Sequence, residues 1–178
     1  MRLIFFILLF LAEINLALSA SKIGDTPYDE VGKTNAGEEI KISDHKGKVV
    51  IVTFWATWCG PCMKELPVLS AIQKSAGTDN LQVIAVNYKE SRRHFKKIAD
   101  ALADSPMKVT SDVKGRIGRK FDVKGIPHML IINRQGKIAS VHIGYGEDSL
   151  PNLIDEINDA GRESDISESG ALDETESQ

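Results

Sequence analysis

From Lys48 to Trp55 the chain reads KVVIVTFW, and Cys59 and Cys62 follow with only Gly60 and Pro61 between them. These are the only two cysteines in 178 residues. An unbroken apolar run of this kind is the pattern of a central strand buried on both faces of a sheet. Beyond it Cys62, Leu66, Leu69 and Ile72 recur at helical spacing. The chain must therefore pass from a buried strand straight into a helix, with two sulfurs one turn apart at the junction. Cys59 falls where unpaired N–H groups and the helix dipole favour negative charge, and the thiolate is the nucleophilic form of cysteine. Cys59 is expected to be exposed and to attack a partner disulfide. Cys62 is expected to be buried and to resolve the mixed disulfide that results. A structural bridge over so short a loop would stabilise little. Zinc usually takes four ligands, and the four histidines, His45, His94, His128 and His142, are scattered. No metal site is expected, and the redox group is the Cys59–Cys62 pair itself, without a separate cofactor.

The rest of the chain supplies strands and helices in an alternating order. EEIKISD suggests an N-terminal strand or hairpin, and LQVIAVNY (81–88) a second buried strand. A helix capped by Ser91 is expected to run to about Asp104, with Phe95, Ile98, Ala99 and Leu102 inward. A short strand over 107–110 and a short helix over 115–121 follow. HMLIIN and KIASVHIG flank RQG, a hairpin signal, and a final helix is expected from Asp148 to Ala160. This order predicts an α/β protein with a central mixed sheet flanked by helices. It is the order of a thioredoxin-like fold with an N-terminal β extension and a middle insertion.

Both ends differ from this domain, which is placed at residues 21–160. Arg2 is followed by an apolar run from Leu3 to Ala12, then by the small residues ALSA. That is the pattern of a secretory signal peptide, with an uncleaved N-terminal anchor as the alternative for residues 1–20. Export to the periplasm or the exterior is expected, with membrane attachment through this segment if it is retained. Residues 161–178 are acidic, have little to bury, and are expected to be a disordered tail. Residues 21–154 hold 20 Lys and Arg against 15 Asp and Glu. Much of that charge lies in KESRRHFKK (89–97), read as the solvated face of a helix, with docking to an acidic partner or to anionic headgroups as the other reading. Nucleic acid is not an expected partner of an exported protein, and Phe95, in this run, falls on the inward side of the helix rather than among the cations, where base stacking would need it.

FWATWCGPC together with GIPHMLIINRQGK resembles the thioredoxin superfamily. More narrowly, the chain from about Ile23 to Ala160 is similar to the TlpA/ResA-like group of exported thiol-disulfide oxidoreductases, within the redoxin and AhpC/TSA-type set. The resemblance implies Cys59 as attacking and Cys62 as resolving cysteine. It also implies Pro127 as a cis-proline facing them, Trp58 as the tryptophan before the motif, and Pro67 as the kink in the following helix. Gly60, Pro61, Ile126 and His128 complete the expected substrate-contacting set. Thr53 stands where thioredoxin carries a buried acid, and Glu65 stands where TlpA/ResA-like proteins often carry one. Positions 62 and 65 share a helix face, so Glu65 is expected to take the proton that Cys62 must lose; the alternative is a solvated glutamate paired with Lys64 or Lys48. His128 stands in place of a small hydroxyl residue, either to tune Cys59 and touch substrate or as an incidental surface residue. A peroxiredoxin reading fails locally, because P-x-x-x-T-x-x-C would need Pro at Val52 and Thr at Ala56.

The expected activity is that of a protein-disulfide reductase acting on exported proteins by dithiol–disulfide exchange. The substrate stays open between apocytochrome c, a copper-site assembly protein and misoxidised exported proteins in general; the acidic feature that the cytochrome c maturation branch often carries beside the cis-proline is replaced here by His128. A membrane electron donor is the expected partner, and the protein is expected to be a monomer. The same chemistry run as an oxidase is the main alternative. A Cu(I) chaperone is another, since thiolates suit that soft ion, but it wants a third ligand, and only His128 is near by motif.

Overall fold

The computed structural model describes residues 21–173, and side chains as far as residue 162. The segment expected to be a signal peptide or anchor, residues 1–20, and the last residues of the expected acidic tail, 174–178, lie outside the described residues. Seven strands form one sheet: β1 (Glu30–Lys33), β2 (Glu39–Lys41), β3 (Val49–Trp55), β4 (Leu81–Tyr88), β5 (Lys108–Asp112), β6 (His128–Ile132) and β7 (Ile138–Ile143). Four helices accompany them: α1 (Gly60–Ala76), α2 (Arg92–Ala101), α3 (Arg116–Lys120) and α4 (Leu150–Asp173). The spatial order is β2-β1-β5-β4-β3-β6-β7. β3, β4 and β5 are parallel, and the other neighbours pair antiparallel.

Every residue of β3 and of β4 is buried, as continuous apolar runs at the centre of a two-faced sheet should be. Alternation along the strands divides the interior in two. One face carries Val49, Ile51, Trp55, Val83, Ala85, Met129 and Ile131 and is covered by α1, α2 and α4 through Cys62, Leu66, Leu69, Phe95, Leu153 and Ile157. The other face carries Val50, Val52, Phe54, Ile84, Val86, Leu130 and Ile132 and is covered by Phe121, Val123 and the N-terminal residues Val31, Ile40 and Ile42. Successive β-α-β crossovers from β3 to β5 keep their helices on one face. The return from β5 leads to β6, which runs antiparallel to the three parallel strands, and places Ile117 of α3 against the other face.

Several elements depart from the sequence expectations. The N-terminal extension is a hairpin whose first strand, β1, precedes the expected EEIKISD segment. Gly32 permits the close approach of β1 to β5: its φ is +99°, and a Cβ there would stand 2.9 Å from the Ser111 carbonyl oxygen. The Thr110 hydroxyl donates to the Val31 carbonyl at 2.5 Å, a side-chain bond between the same two strands. The last helix begins at Leu150 after a short 3-10 turn over Glu147–Ser149, and its backbone continues to Asp173 rather than ending at Ala160. Among the described residues no helix is long and apolar enough to cross a membrane.

Candidate active site

The two cysteines sit where β3 gives way to α1. They form a disulfide with Cα atoms 5.3 Å apart. Cys59 is the N-cap of α1: its Sγ accepts from the Cys62 backbone N–H at 3.2 Å. Pro61 occupies the first helical turn, where its missing N–H costs nothing. The same N–H and the helix terminus would stabilise a Cys59 thiolate once the disulfide opens. Cys62 is fully buried and Cys59 is 5% exposed. The order is the expected one, but Cys59 is not freely exposed, because its sulfur is turned back toward Cys62 and the helix end. Trp58, by contrast, is 68% exposed immediately before it. Pro67 lies inside α1, which runs unbroken from Gly60 to Ala76.

Glu65 lies one turn beyond Cys62 on the buried face of α1 and is 1% exposed. It pairs with neither Lys64 nor Lys48. Lys64 reaches Glu147 at 3.4 Å, and Lys48 donates to the Thr78 carbonyl. Instead the Thr53 hydroxyl donates to Glu65 Oε1 at 2.6 Å, while Oε2 has no hydrogen-bond partner among the described residues. The two positions singled out separately in the sequence are thus one contact. Where an acid would stand on the strand, Thr53 stands, and the acid comes from the helix to meet it. Burial pushes the Glu65 carboxyl above the usual carboxylate range, opposed by the Thr53 hydrogen bond and by the more distant His142. Thr53, Met129 and His142 form a row across β3, β6 and β7, and His142 Nε2 lies 2.7 Å from Glu156 Oε2 on α4.

A second acid reaches this junction from β4's far end. Glu90 is 6% exposed. Its carboxylate accepts from the Thr57 backbone N–H at 2.8 Å, from the Thr57 hydroxyl, and from Asn87 Nδ2 at 2.6 Å. Burial alone would raise its pKa, but these bonds from Thr57 and Asn87 outweigh it and hold the carboxyl below its usual range. Glu90 thereby fixes the loop two residues before Cys59. It was not among the residues predicted from the sequence, where it reads as one charge in a solvated run. Its only sequence signal is a position just past a fully apolar strand.

The Ile126–Pro127 peptide bond is cis. Pro127 is buried, and its carbonyl accepts from the Gly144 N–H at 2.8 Å, tying the start of β6 to the end of β7. Ile126 is partly buried and packs against both interior clusters. Gly60 and Pro61 border an open depression of about 680 Å³ shared with Tyr145, Gly146 and the Lys64–Glu147 pair. His128 is not a surface residue: it is 4% exposed. It pairs in register with Phe54, so its ring points to the face opposite the disulfide, edge-on to Phe54 at 6.2 Å. Burial holds its imidazole below the usual pKa, and Asp122 opposes this weakly. The copper reading thereby loses its one neighbouring third ligand.

Comparison with known proteins agrees with this arrangement. The model of the AhpC/TSA family matches residues 23–141. The chain is 32% identical over 132 residues to the thiol-disulfide oxidoreductase ResA of Bacillus subtilis (strain 168), covering 74% of this chain and 73% of ResA. It is 36% identical over 115 residues to the thioredoxin-like protein YneN of the same organism, covering 63% of this chain and 66% of YneN. A Chlorobium tepidum structure assigned as the thiol:disulfide interchange protein DsbE superposes with a TM-score of 0.69 at 32% identity, over 79% of this chain and 99% of that one. With a sulfur pair at the strand–helix junction and no peroxidatic P-x-x-x-T-x-x-C pattern, the chain belongs to the AhpC/TSA family, among its ResA-like thiol-disulfide oxidoreductases of thioredoxin fold.

Proposed function

We propose that this protein is exported and reduces disulfides in other exported proteins, and that a membrane electron donor restores its dithiol. The observation that carries the mechanism is the triad Cys59, Cys62 and Glu65 on one helix end, with Cys59 as N-cap and Glu65 buried one turn past Cys62. The Cys59 thiolate attacks a substrate disulfide. A Cys59–substrate disulfide forms, and one substrate sulfur leaves as thiolate. Cys62 then yields its proton to Glu65, whose buried carboxylate is a stronger base than an exposed one. The Cys62 sulfur attacks Cys59 Sγ, restoring the Cys59–Cys62 disulfide and expelling the second substrate thiolate. Two electrons pass to the substrate, and two protons complete its thiols.

The direction rests on Gly60 and Pro61, the pair found between the cysteines of reducing thioredoxins. Those proteins sit near about −270 mV, against about −120 mV for a strong oxidant of the same fold. A redox titration against glutathione, run beside an insulin-reduction assay, tests it. A potential near the reducing value with reductase activity is expected; one near the oxidising value without it would favour a disulfide-forming oxidase. The signal-peptide pattern of residues 1–20 motivates the exported setting, in which apocytochrome c, a copper-site assembly protein and misoxidised exported proteins in general are the candidate substrates. Trapping partners on Cys59 in a Cys62→Ser variant identifies the substrates.

A further inference from the structure

Beside β1, the end of β5 and α3 lies an open cleft of about 760 Å³ that the thiol chemistry does not use. Arg92, Lys114, Arg116 and Lys120 line it, all exposed, and none has an ion-pair partner among the described residues. The two acids on its wall are already engaged. Asp112 accepts from the backbone N–H groups of Arg116 and Gly118, each at 2.8 Å. Glu30 accepts from the Tyr28 hydroxyl at 3.0 Å. The remaining cation, Lys33, is matched by Glu39 at 3.6 Å. The cleft therefore presents a surplus of positive charge on a concave wall built from three separate elements.

Its position relative to the disulfide follows from the register. Asp112 is level with Tyr88 across β5 and β4, and Asn87 is level with Trp55 across β4 and β3. The cleft thus opens at the same end of the sheet as Cys59: the tip of β5 on its near side is two strands from β3, about 10 Å laterally, and the cleft extends outward from there to β1 and α3. A second link is shorter. Arg92 lies two residues after Glu90, which grips Thr57, which lies two residues before Cys59.

We propose that this cleft binds an acidic segment of the substrate protein, lying beside the disulfide that Cys59 attacks. The proposal rests on the reading of the protein as a disulfide reductase. An extended acidic chain fits a concave site lined by cations from more than one element; a bilayer surface is flat and would meet only the rim. Complementary charge of this kind raises the encounter rate and fixes orientation, and it weakens with salt.

Two synthetic peptides carrying the same disulfide loop provide the test, one flanked by four acidic residues and the other by four amides. For the full chain, kcat/KM should be about tenfold higher for the acidic peptide, the gain from two surface ion pairs near the top of their range. The preference should vanish at high salt and in Arg92→Gln/Arg116→Gln, while turnover of the amide peptide stays unchanged and shows that the variant is folded. Equal kcat/KM for the two peptides, or a preference that survives in the variant, overturns the proposal. So does salt-sensitive binding to anionic vesicles that the variant loses while keeping its peptide preference. A fluorescent acidic peptide without cysteines, titrated into the oxidised protein, separates the two readings. Binding lost in the double variant supports the cleft even if disulfide reduction fails, and no binding overturns it even if reduction succeeds.

Discussion

Thr53→Val removes one hydroxyl from the interior and keeps the side chain's shape. Its consequence turns on the charge of Glu65. In the native protein the Thr53 hydroxyl is the one hydrogen-bond donor to that carboxylate among the described residues. A hydrogen bond to a charged group contributes about 1.5–3 kcal/mol, and one to a neutral group about 0.5–1.5 kcal/mol. The variant should therefore lose about 1 kcal/mol near pH 4, where Glu65 is protonated, and about 2–3 kcal/mol where it is ionised. The sign agrees with linkage. Burial holds the Glu65 pKa above its ordinary 4.5, so the native state binds the proton more tightly than the unfolded chain. Stability contributed by this residue then falls as pH rises from the ordinary value through the folded one. Removing Thr53 deletes an influence that lowers the folded pKa, so the fall becomes larger and extends to higher pH. Urea unfolding of the oxidised protein at several pH values measures this, and the pH at which thiol exchange by the reduced protein accelerates should move upward with it. In a Glu65→Gln background the pH dependence of the Thr53→Val effect should disappear. An equal loss at all pH values, additive with Glu65→Gln, would show that Thr53 only fills space and would remove the basis for treating the pair as a proton-accepting unit.

Four further outcomes follow from the same geometry. Brief alkylation of the reduced protein should label Cys59 well before Cys62, since only Cys59 has any exposure; mass spectrometry showing the reverse would exchange their roles. Glu90→Gln should cost about 1.5–3 kcal/mol by weakening charge-assisted bonds to Thr57 and Asn87, read by chemical unfolding. In the native chain the Thr57 amide should exchange with deuterium faster as pH falls through the depressed Glu90 pKa, after correction for intrinsic rates, because a lowered carboxyl pKa gives stability that acid removes. Gly118→Ala should destabilise by about 1–3 kcal/mol, because its Cβ would stand 2.3 Å from the Tyr88 ring; a thermal-unfolding midpoint at the native value would show that the ring yields freely.

What was legible in the sequence was whatever is local. The apolar run of β3, the helical recurrence of Cys62, Leu66 and Leu69, and the RQG turn each announce an element over a few residues. Glu65 could be placed on the Cys62 face by counting along one helix. Its partner Thr53 could not, because the contact depends on how α1 lies over β3. Glu90 was missed for the same reason, since Thr57 is 33 residues away and the neighbouring KESRRHFKK masks one buried acid among solvated cations. His128 was ambiguous because a strand's alternation assigns faces only once its register is known. Pairing with Phe54 turns its ring away from the sulfurs. β1 went unseen because EVGK carries little apolar signal, and Gly32 and the Thr110 bond do the pairing instead.

Carrying the acid on α1 rather than on the strand ties it mechanically to the neighbouring thiol of Cys62. Cys62 and Glu65 occupy successive turns of one helix, so any tilt or slide of that helix would carry the sulfur and the carboxyl together. The separation that such a displacement would alter is the one between Glu65 and Thr53, across the boundary between the helix and the sheet. A change in that one hydroxyl contact would alter the basicity of the carboxylate, since the Thr53 hydrogen bond opposes burial there.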